Sequence, residues 1–268
     1  MPIVIDRIKN ERIPSILYPF AFEEELCQKV GDGHEPIIHI WQHSKAFVMG
    51  LRDSRLPHAG KAKLWLHDQG YEVMVRHSGG AAVPLDNGVI NISLIQPIKG
   101  QIYRFQQDFE IIFQLIKDTL QSYPVRIEKG EIKGSYCPGD YDLSINHRKF
   151  CGIAQRRQLK AFIVHAFINV LGIGAEKAKL VQQFYEIASG GRIEEFNVPS
   201  IQPEKITTLK ELTNVSSIEE FLFHLKIALK NKYGDKLIYE NAQSFDTLHE
   251  NEINKMMVEF KTKYDITQ

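Results

Sequence analysis

Cysteine is scarce in this chain: 268 residues contain three, Cys27, Cys137 and Cys151. An odd, widely spaced set excludes a disulfide framework and matches no zinc-ligand spacing. Net charge is absent as well, with 33 basic residues against 33 acidic ones. That balance predicts no strong nonspecific attraction to nucleic acid and leaves only a local basic patch open, so no nucleic-acid partner is expected. No apolar run approaches the ~18 residues of a membrane span. The opening stretch, MPIVIDRIKNERIP, lacks the apolar core of a secretory signal. A cytoplasmic, reducing location is the expectation, with no membrane partner and with free thiols. No glycine-rich phosphate motif follows a first strand. RHSGGAAVPLDNG (76–88) has two adjacent glycines but neither G-x-G-x-x-G nor the P-loop pattern.

What is present suits a globular enzyme. The chain is 43% hydrophobic and 25% charged, and it is long enough to bury a sizeable core. Residues 36–50 suggest two short strands around a polar turn, and 56–70 a helix ending at Gly70. Strands are expected at 71–80, 88–97 and 161–174. The clearest helix is 101–123, where Phe105, Phe109, Ile112, Phe113, Ile116 and Leu120 fall at helical spacing and predict a core-facing stripe. Residues 141–154 predict a hairpin turning at Asn146-His147. Helices are expected at 175–191, closed by Gly190, and at 216–234, opened by a Ser217–Glu220 capping box. The residues after 234 also suit helix, and the first 35 give no clear pattern. Strands and helices mix without βαβ alternation, so the fold class is α+β. One domain, 1–268, is expected, with a helical segment from about 196 to 268 packed on it.

Cys137 draws attention because it stands in SYCPGD (135–140), a turn-forming loop rather than a strand. Loops on a rigid sheet carry reactive residues more often than cores do. An exposed thiol there would be activated by nearby cations, and Lys133, Lys149, Arg156 and Arg157 are the candidates. Cys151, in KFCGIA, reads as a buried strand residue. Cys27, in EEELCQKV, has acidic neighbours that disfavour a thiolate. In the hairpin register, residues 144 and 149 face each other. Lys149 would then share a face with Ser144, Asp142 and Cys151, and Asp142 could pair with it. The Cys137 loop must fold back over the sheet to meet Lys149. Gly79 and Gly80 allow close approach of backbone to a ligand, and Arg76 could meet an anion. His77 and His147 are single loop histidines rather than a metal set, and His165 reads as a satisfied core residue.

Two stretches carry a family resemblance. VRHSGGAAVPLDNGVINISLI (75–95) resembles the R-x-SGG-x-x-V…G-x-x-N-x-S signature of the biotin/lipoate ligase and octanoyltransferase superfamily. GSYCPGDYDLSINHRKFCGIAQRR (134–157) is similar to the second signature, in the version found in octanoyl-H-protein:protein N-octanoyltransferases, also called lipoyl amidotransferases. Ligases of the superfamily have R-R-x-S/T-G-G-G and a His-Asp pair. Here His77 replaces the second Arg, Ala81 the third Gly, and Leu85 the His before Asp86. Those departures suit a cysteine transferase better than an enzyme that makes an acyl-adenylate.

The resemblance implies a fold of mixed, largely antiparallel sheets flanked by helices, the biotin/lipoate protein ligase catalytic-domain fold. It implies Cys137 as acyl acceptor and Lys149 as the group that positions and polarises the acyl carbonyl. Arg76, Ser78, Gly79 and Gly80 would line the acyl site. It implies octanoylated or lipoylated glycine cleavage H protein as donor and apo lipoyl domains of 2-oxoacid dehydrogenases as acceptor, with no metal and no cofactor. Octanoyl-acyl-carrier-protein transfer, ATP-dependent lipoate ligation and non-catalytic lipoyl-domain binding are the alternatives.

Overall fold

A computed structural model describes residues 1–8, 13, 15–98, 105–240 and 242–264. The chain opens with β1 (Ile3–Asp6), α1 (Leu17–Gly31), β2 (Ile37–Trp41) and β3 (Lys45–Met49). It continues through α2 (Ala59–Asp68), β4 (Glu72–Val75), β5 (Val83–Asp86), β6 (Val89–Pro97) and α3 (Phe105–Thr119). Next come β7 (Glu128–Lys129), β8 (Leu143–Ile145), β9 (Arg148–Arg157), β10 (Ala161–Asn169) and α4 (Gly174–Ser189). The last elements are α5 (Leu209–Leu212), α6 (Ile218–Tyr233), β11 (Ile238–Glu240) and α7 (Ala242–Tyr264).

Eight strands form the main sheet in the order β11-β1-β2-β6-β10-β9-β8-β7, and β4-β3-β5 form a small second sheet. Pairing is antiparallel from β2 to β7 and parallel at β1–β2, β1–β11 and β3–β4. The period of two along each strand divides the core. Ile90, Ile92 and Leu94 of β6 face α3 and α6, where they meet Ile112, Ile116 and Leu225. Val89 and Ile95 of the same strand face α1 and the small sheet.

Several expectations change in the structure. The strands of 36–50 exist, but β2 and β3 belong to different sheets, so the turn between them is a crossing point and not a hairpin. The stretch 83–86, between two expected strands, is itself a strand, β5, paired with β3. The tail after 234 is not all helix: Ile238–Glu240 pairs in parallel with β1 before α7 begins. Both changes come from long-range pairing that local pattern does not encode. Helix α3 ends at Thr119, short of 123, and residues 101–104 of the expected helix lie outside the described residues. Its aromatic stripe is only partly core. Ile112, Ile116 and Leu120 are buried, whereas Phe109 is half-buried and stacks on Tyr141 at 4.7 Å.

The hairpin turns at Asn146 and His147, both left-handed with φ of 51° and 57°, as a two-residue type I′ loop requires. Gly190 closes α4 in the left-handed region. Half of the expected capping box forms at α6: Ser217 accepts the Glu220 N–H. The Glu220 carboxylate turns instead to the N–H and hydroxyl of Ser216.

Candidate active site

Cys137 lies in the loop between β7 and β8, with φ of 46°. A non-glycine residue in that region costs of order 1–3 kcal/mol and persists only where its surroundings enforce it. The enforcing groups are visible. Lys149 Nζ donates to the carbonyls of Tyr136 at 2.9 Å and Cys137 at 2.7 Å. It also meets Asp142 Oδ1 at 2.9 Å. Asp142 Oδ2 accepts the Gly139 N–H at 3.2 Å. Below, the Tyr136 ring stacks on Phe167 at 6.1 Å, and its hydroxyl accepts from Asn169 Nδ2 at 3.1 Å. Lys149 is thus the clasp that closes the loop over β9. The fold-back that Cys137 and Lys149 require is present, but Nζ holds the Cys137 backbone rather than Sγ.

A bulge between Leu143 and Ser144 shifts the hairpin register, so Cys151 pairs with Leu143 while Lys149 stays opposite Ser144. Lys149 therefore reaches toward Tyr136 and Phe167, while Cys151 joins the α3–α6 core. The shared face expected for Lys149 and Cys151 does not form, since a bulge re-aims side chains beyond it.

The thiol of Cys137 is buried, with 7% of the residue exposed, not open to solvent as the loop sequence suggests. Its sulfur accepts the Ala81 N–H at 3.2 Å and Arg76 Nη2 at 3.1 Å. A backbone donor and a guanidinium aimed at one sulfur are placed to hold a thiolate. The cations expected around Cys137 are elsewhere. Arg156 pairs with Glu24 at 3.0 Å, Arg157 pairs with Asp108, and Lys133 is exposed. Arg76, expected to meet an anion or to line the acyl site, is the cation at the sulfur. Burial pushes the Cys27 thiol up to about 12 and Cys151 well above its ordinary value, so neither is a competing nucleophile.

The Ser78–Ala81 loop is built to approach this sulfur. Gly80 has φ of +105°, and a Cβ there would overlap the Arg76 guanidinium and stand 3.0 Å from Cys137 Sγ. Gly80→Ala is therefore expected to lower Cys137 alkylation by iodoacetamide and acyl transfer at least tenfold with a modest loss of stability. Unchanged alkylation would contradict the packing. Three further residues support the loop. A Cβ on Gly50 would overlap the Gly80 carbonyl. Asp53 accepts the Gly50 N–H at 2.7 Å and the Tyr185 hydroxyl at 2.9 Å. Tyr185 in turn accepts the Ala82 N–H at 3.3 Å. Nothing in the local sequence marks Asp53 or Tyr185. Only Gly50, a glycine directly after a strand, leaves a signal.

His77 joins the loop to the C-terminal helix. Its Nε2 meets Glu24 Oε2 at 3.0 Å, and its ring packs against Phe260 of α7 at 4.5 Å. Burial opposes ionisation of Glu24, but hydrogen bonds from His77 and Arg156 outweigh it and hold the carboxyl at about 2, against an ordinary 4.5. The stability from this depressed value is complete above about 4.5 and is lost as pH falls toward about 2. Glu24→Gln should therefore flatten part of the acid limb of the stability curve in that window. Superimposable urea titrations of the two proteins from pH 5 to about 2 would contradict the assignment.

Cys137 borders one space, and Arg76, which donates to its sulfur, borders a second. Outward, a cleft of about 400 Å³ is lined by Cys137, Pro138, Tyr141, Phe109, Ile153 and Ala154. Inward, between the two sheets, a cavity of about 40 Å³ is lined by Phe20, Trp41, Asn91, Phe167, Val83 and Leu85 among others. Arg76, Ser78 and Ala154 line the inner cavity too, and Ala154 is common to both spaces. Gly79 and Gly80 border the outer cleft. Of the residues expected at the site, the structure thus brings Cys137, Lys149, Arg76, Ser78, Gly79 and Gly80 together. Among the described residues no His, Cys, Asp and Glu cluster has metal-site geometry, and no helix is long and apolar enough to cross a membrane.

Residues 15–230 match the family model of the lipoyl protein ligase A/B catalytic domain. The chain belongs to this family. An octanoyl-[GcvH]:protein N-octanoyltransferase of Macrococcus caseolyticus is 38% identical over 251 residues, 93% of this chain and 90% of that protein. A lipoyl-[GcvH]:protein N-lipoyltransferase of Listeria monocytogenes is 37% identical, over 81% of this chain and 78% of that protein. The fold of the lipoyl protein ligase A/B family is also that of the bi-partite lipoate protein ligase of Thermoplasma acidophilum. There the TM-score is 0.69 at 15% identity, over 99% of this chain and 96% of that one. Within this family frame the sequence departures acquire places. His77 faces Glu24 and Phe260, Ala81 supplies its N–H to the sulfur, and Leu85 lines the inner cavity.

Proposed function

We infer that this chain is an acyltransferase of protein lipoylation that works through Cys137. It moves an octanoyl or lipoyl group from the lysine of the glycine cleavage H protein to the lysine of an apo lipoyl domain of a 2-oxoacid dehydrogenase. The observation that carries this reading is the sulfur of Cys137, held by Arg76 and the Ala81 N–H on the wall of a cleft of about 400 Å³.

The acylated lysine arm enters the cleft that Cys137 borders. The thiolate attacks the amide carbonyl carbon, the C–N bond breaks, and the departing amine carries away the proton lost from the thiol. A thioester remains on Cys137. The neutral amine of the second lysine attacks it, the C–S bond breaks, and the proton the amine loses restores the Cys137 thiol. Arg76 Nε is buried and, among the described residues, has no partner, so it is available to the oxyanion beside the sulfur. Lys149 is a positioning residue here: its bonds to two carbonyls and Asp142 fix the conformation that aims Sγ.

Incubation with octanoylated H protein, without ATP, should give an octanoyl thioester visible by intact mass and transfer to an apo lipoyl domain. No adduct and no transfer would refute the reading. Acylation only from octanoyl-acyl carrier protein, or only with ATP and free acid, would select one of those activities instead.

A further inference from the structure

Among the described residues that line the cleft beside Cys137, Asp140 is the one carboxylate. Three residues span at most about 11 Å, so Asp140 cannot lie far from Cys137. Its backbone is not free to swing. The Asp142 N–H donates to the Gly139 carbonyl at 3.1 Å, and Asp142 Oδ2 accepts the Gly139 N–H at 3.2 Å. Asp142 is in turn paired with Lys149 at 2.9 Å. The clasp that aims Sγ thus also fixes the turn that carries Asp140. The same cleft has an aromatic wall, where Phe109 and Tyr141 stack at 4.7 Å.

The charges around the cleft are already matched. Asp142 has Lys149, Asp108 has Arg157 and the Gln155 amide, and Glu110 has Lys129. Arg76 is held at the sulfur. Asp140 differs: it is exposed, and its carboxylate has no ion pair or hydrogen bond among the described residues. The two lysines that visit this cleft differ in charge. The donor lysine carries its acyl group as an uncharged amide. The acceptor lysine arrives as an ammonium, since a free lysine titrates near about 10.4.

We propose that Asp140 is a specificity-determining residue that receives the acceptor lysine as its ammonium and so distinguishes it from an acylated lysine. The proposal rests on the acyl-transfer reading above. Phe109 and Tyr141 give the methylenes of the arm an apolar wall, and Asp140 pairs with the charge at its end. A carboxylate favours the protonated amine, so the pairing serves arrival and not the chemical step. Proton loss and attack on the thioester come after the ammonium leaves the carboxylate. Asp140 therefore sets how much acceptor is needed and not the maximal rate.

The test separates the two half-reactions in the wild type, Asp140→Asn and Asp140→Glu. Thioester formation from octanoylated H protein is followed by intact mass, and the acyl-enzyme is then mixed with increasing apo lipoyl domain. In Asp140→Asn the half-saturating acceptor concentration should rise about fivefold, the scale of an exposed ion pair, while acylation changes by less than about twofold. The maximal deacylation rate should not fall, and Asp140→Glu should restore most of the acceptor effect. Butylamine, a lysine arm without a protein, should lose reactivity in Asp140→Asn as the domain does. Hydroxylamine, largely uncharged at neutral pH, should deacylate all three proteins alike. An unchanged acceptor dependence, or equal losses in both half-reactions, overturns the proposal and leaves the transfer reading intact. A wild type that forms no acyl-enzyme and transfers nothing refutes the transfer reading, and the proposal with it.

Discussion

Cys137→Ala should abolish acyl transfer, with a loss of at least 1,000-fold and no acyl-enzyme detectable by mass. The fold should survive. The side chain removed is small, the left-handed backbone at position 137 is held by Lys149 through carbonyl oxygens, and those bonds do not involve sulfur. The expected change in unfolding free energy is about 1 kcal/mol or less. Cys27→Ala and Cys151→Ala are the controls. Both residues are fully buried in core clusters, so they should lower stability and leave transfer per folded molecule unchanged. Transfer that persists in Cys137→Ala would show that Sγ is not the acyl carrier, and loss in Cys27→Ala or Cys151→Ala alone would move the assignment.

Lys149→Met should have the second largest effect, and it separates positioning from mere packing. Lys149 and Asp142 are both buried and paired at 2.9 Å. Burial already raises the Asp142 carboxyl against the pull of Lys149. Removing the ammonium alone leaves a buried carboxylate and two carbonyls without their donor, a loss of about 3–5 kcal/mol. Adding Asp142→Asn removes the stranded charge, so the double variant should recover most of that stability. Transfer should not recover with it, because the carbonyls of Tyr136 and Cys137 still lack the cation that fixes the loop. Iodoacetamide labelling of Cys137 in the folded double variant gives a direct readout of a misaimed thiol. Wild-type labelling and transfer in that variant would reduce Lys149 to a structural residue.

Much of the fold was legible because the relevant signals are local. The Asn146-His147 turn, the Gly70 and Gly190 helix ends and the amphipathic period of α3 each depend on a few neighbouring residues. Strands β1, β5 and β11 were not legible. They are three or four residues long and exist by pairing with partners distant in sequence. Phe109 shows the limit of periodicity: the spacing placed it correctly on the inward side of α3, but the core ends before it, and the ring borders the cleft beside Cys137.

By itself the sequence determined the chemistry available: one cysteine in a turn-forming loop, a lysine on a hairpin, a glycine pair, and no charge excess or phosphate motif. Tertiary structure decided what each group does. It assigned Arg76 and the Ala81 N–H to the sulfur, gave Lys149 to the loop carbonyls and drew Asp53 and Tyr185 under the glycine loop. The physical reason is range. Turns and helix ends are set by neighbours along the chain, whereas a hydrogen bond between residues 76 and 137 exists only once two sheets have packed and excluded water from between them.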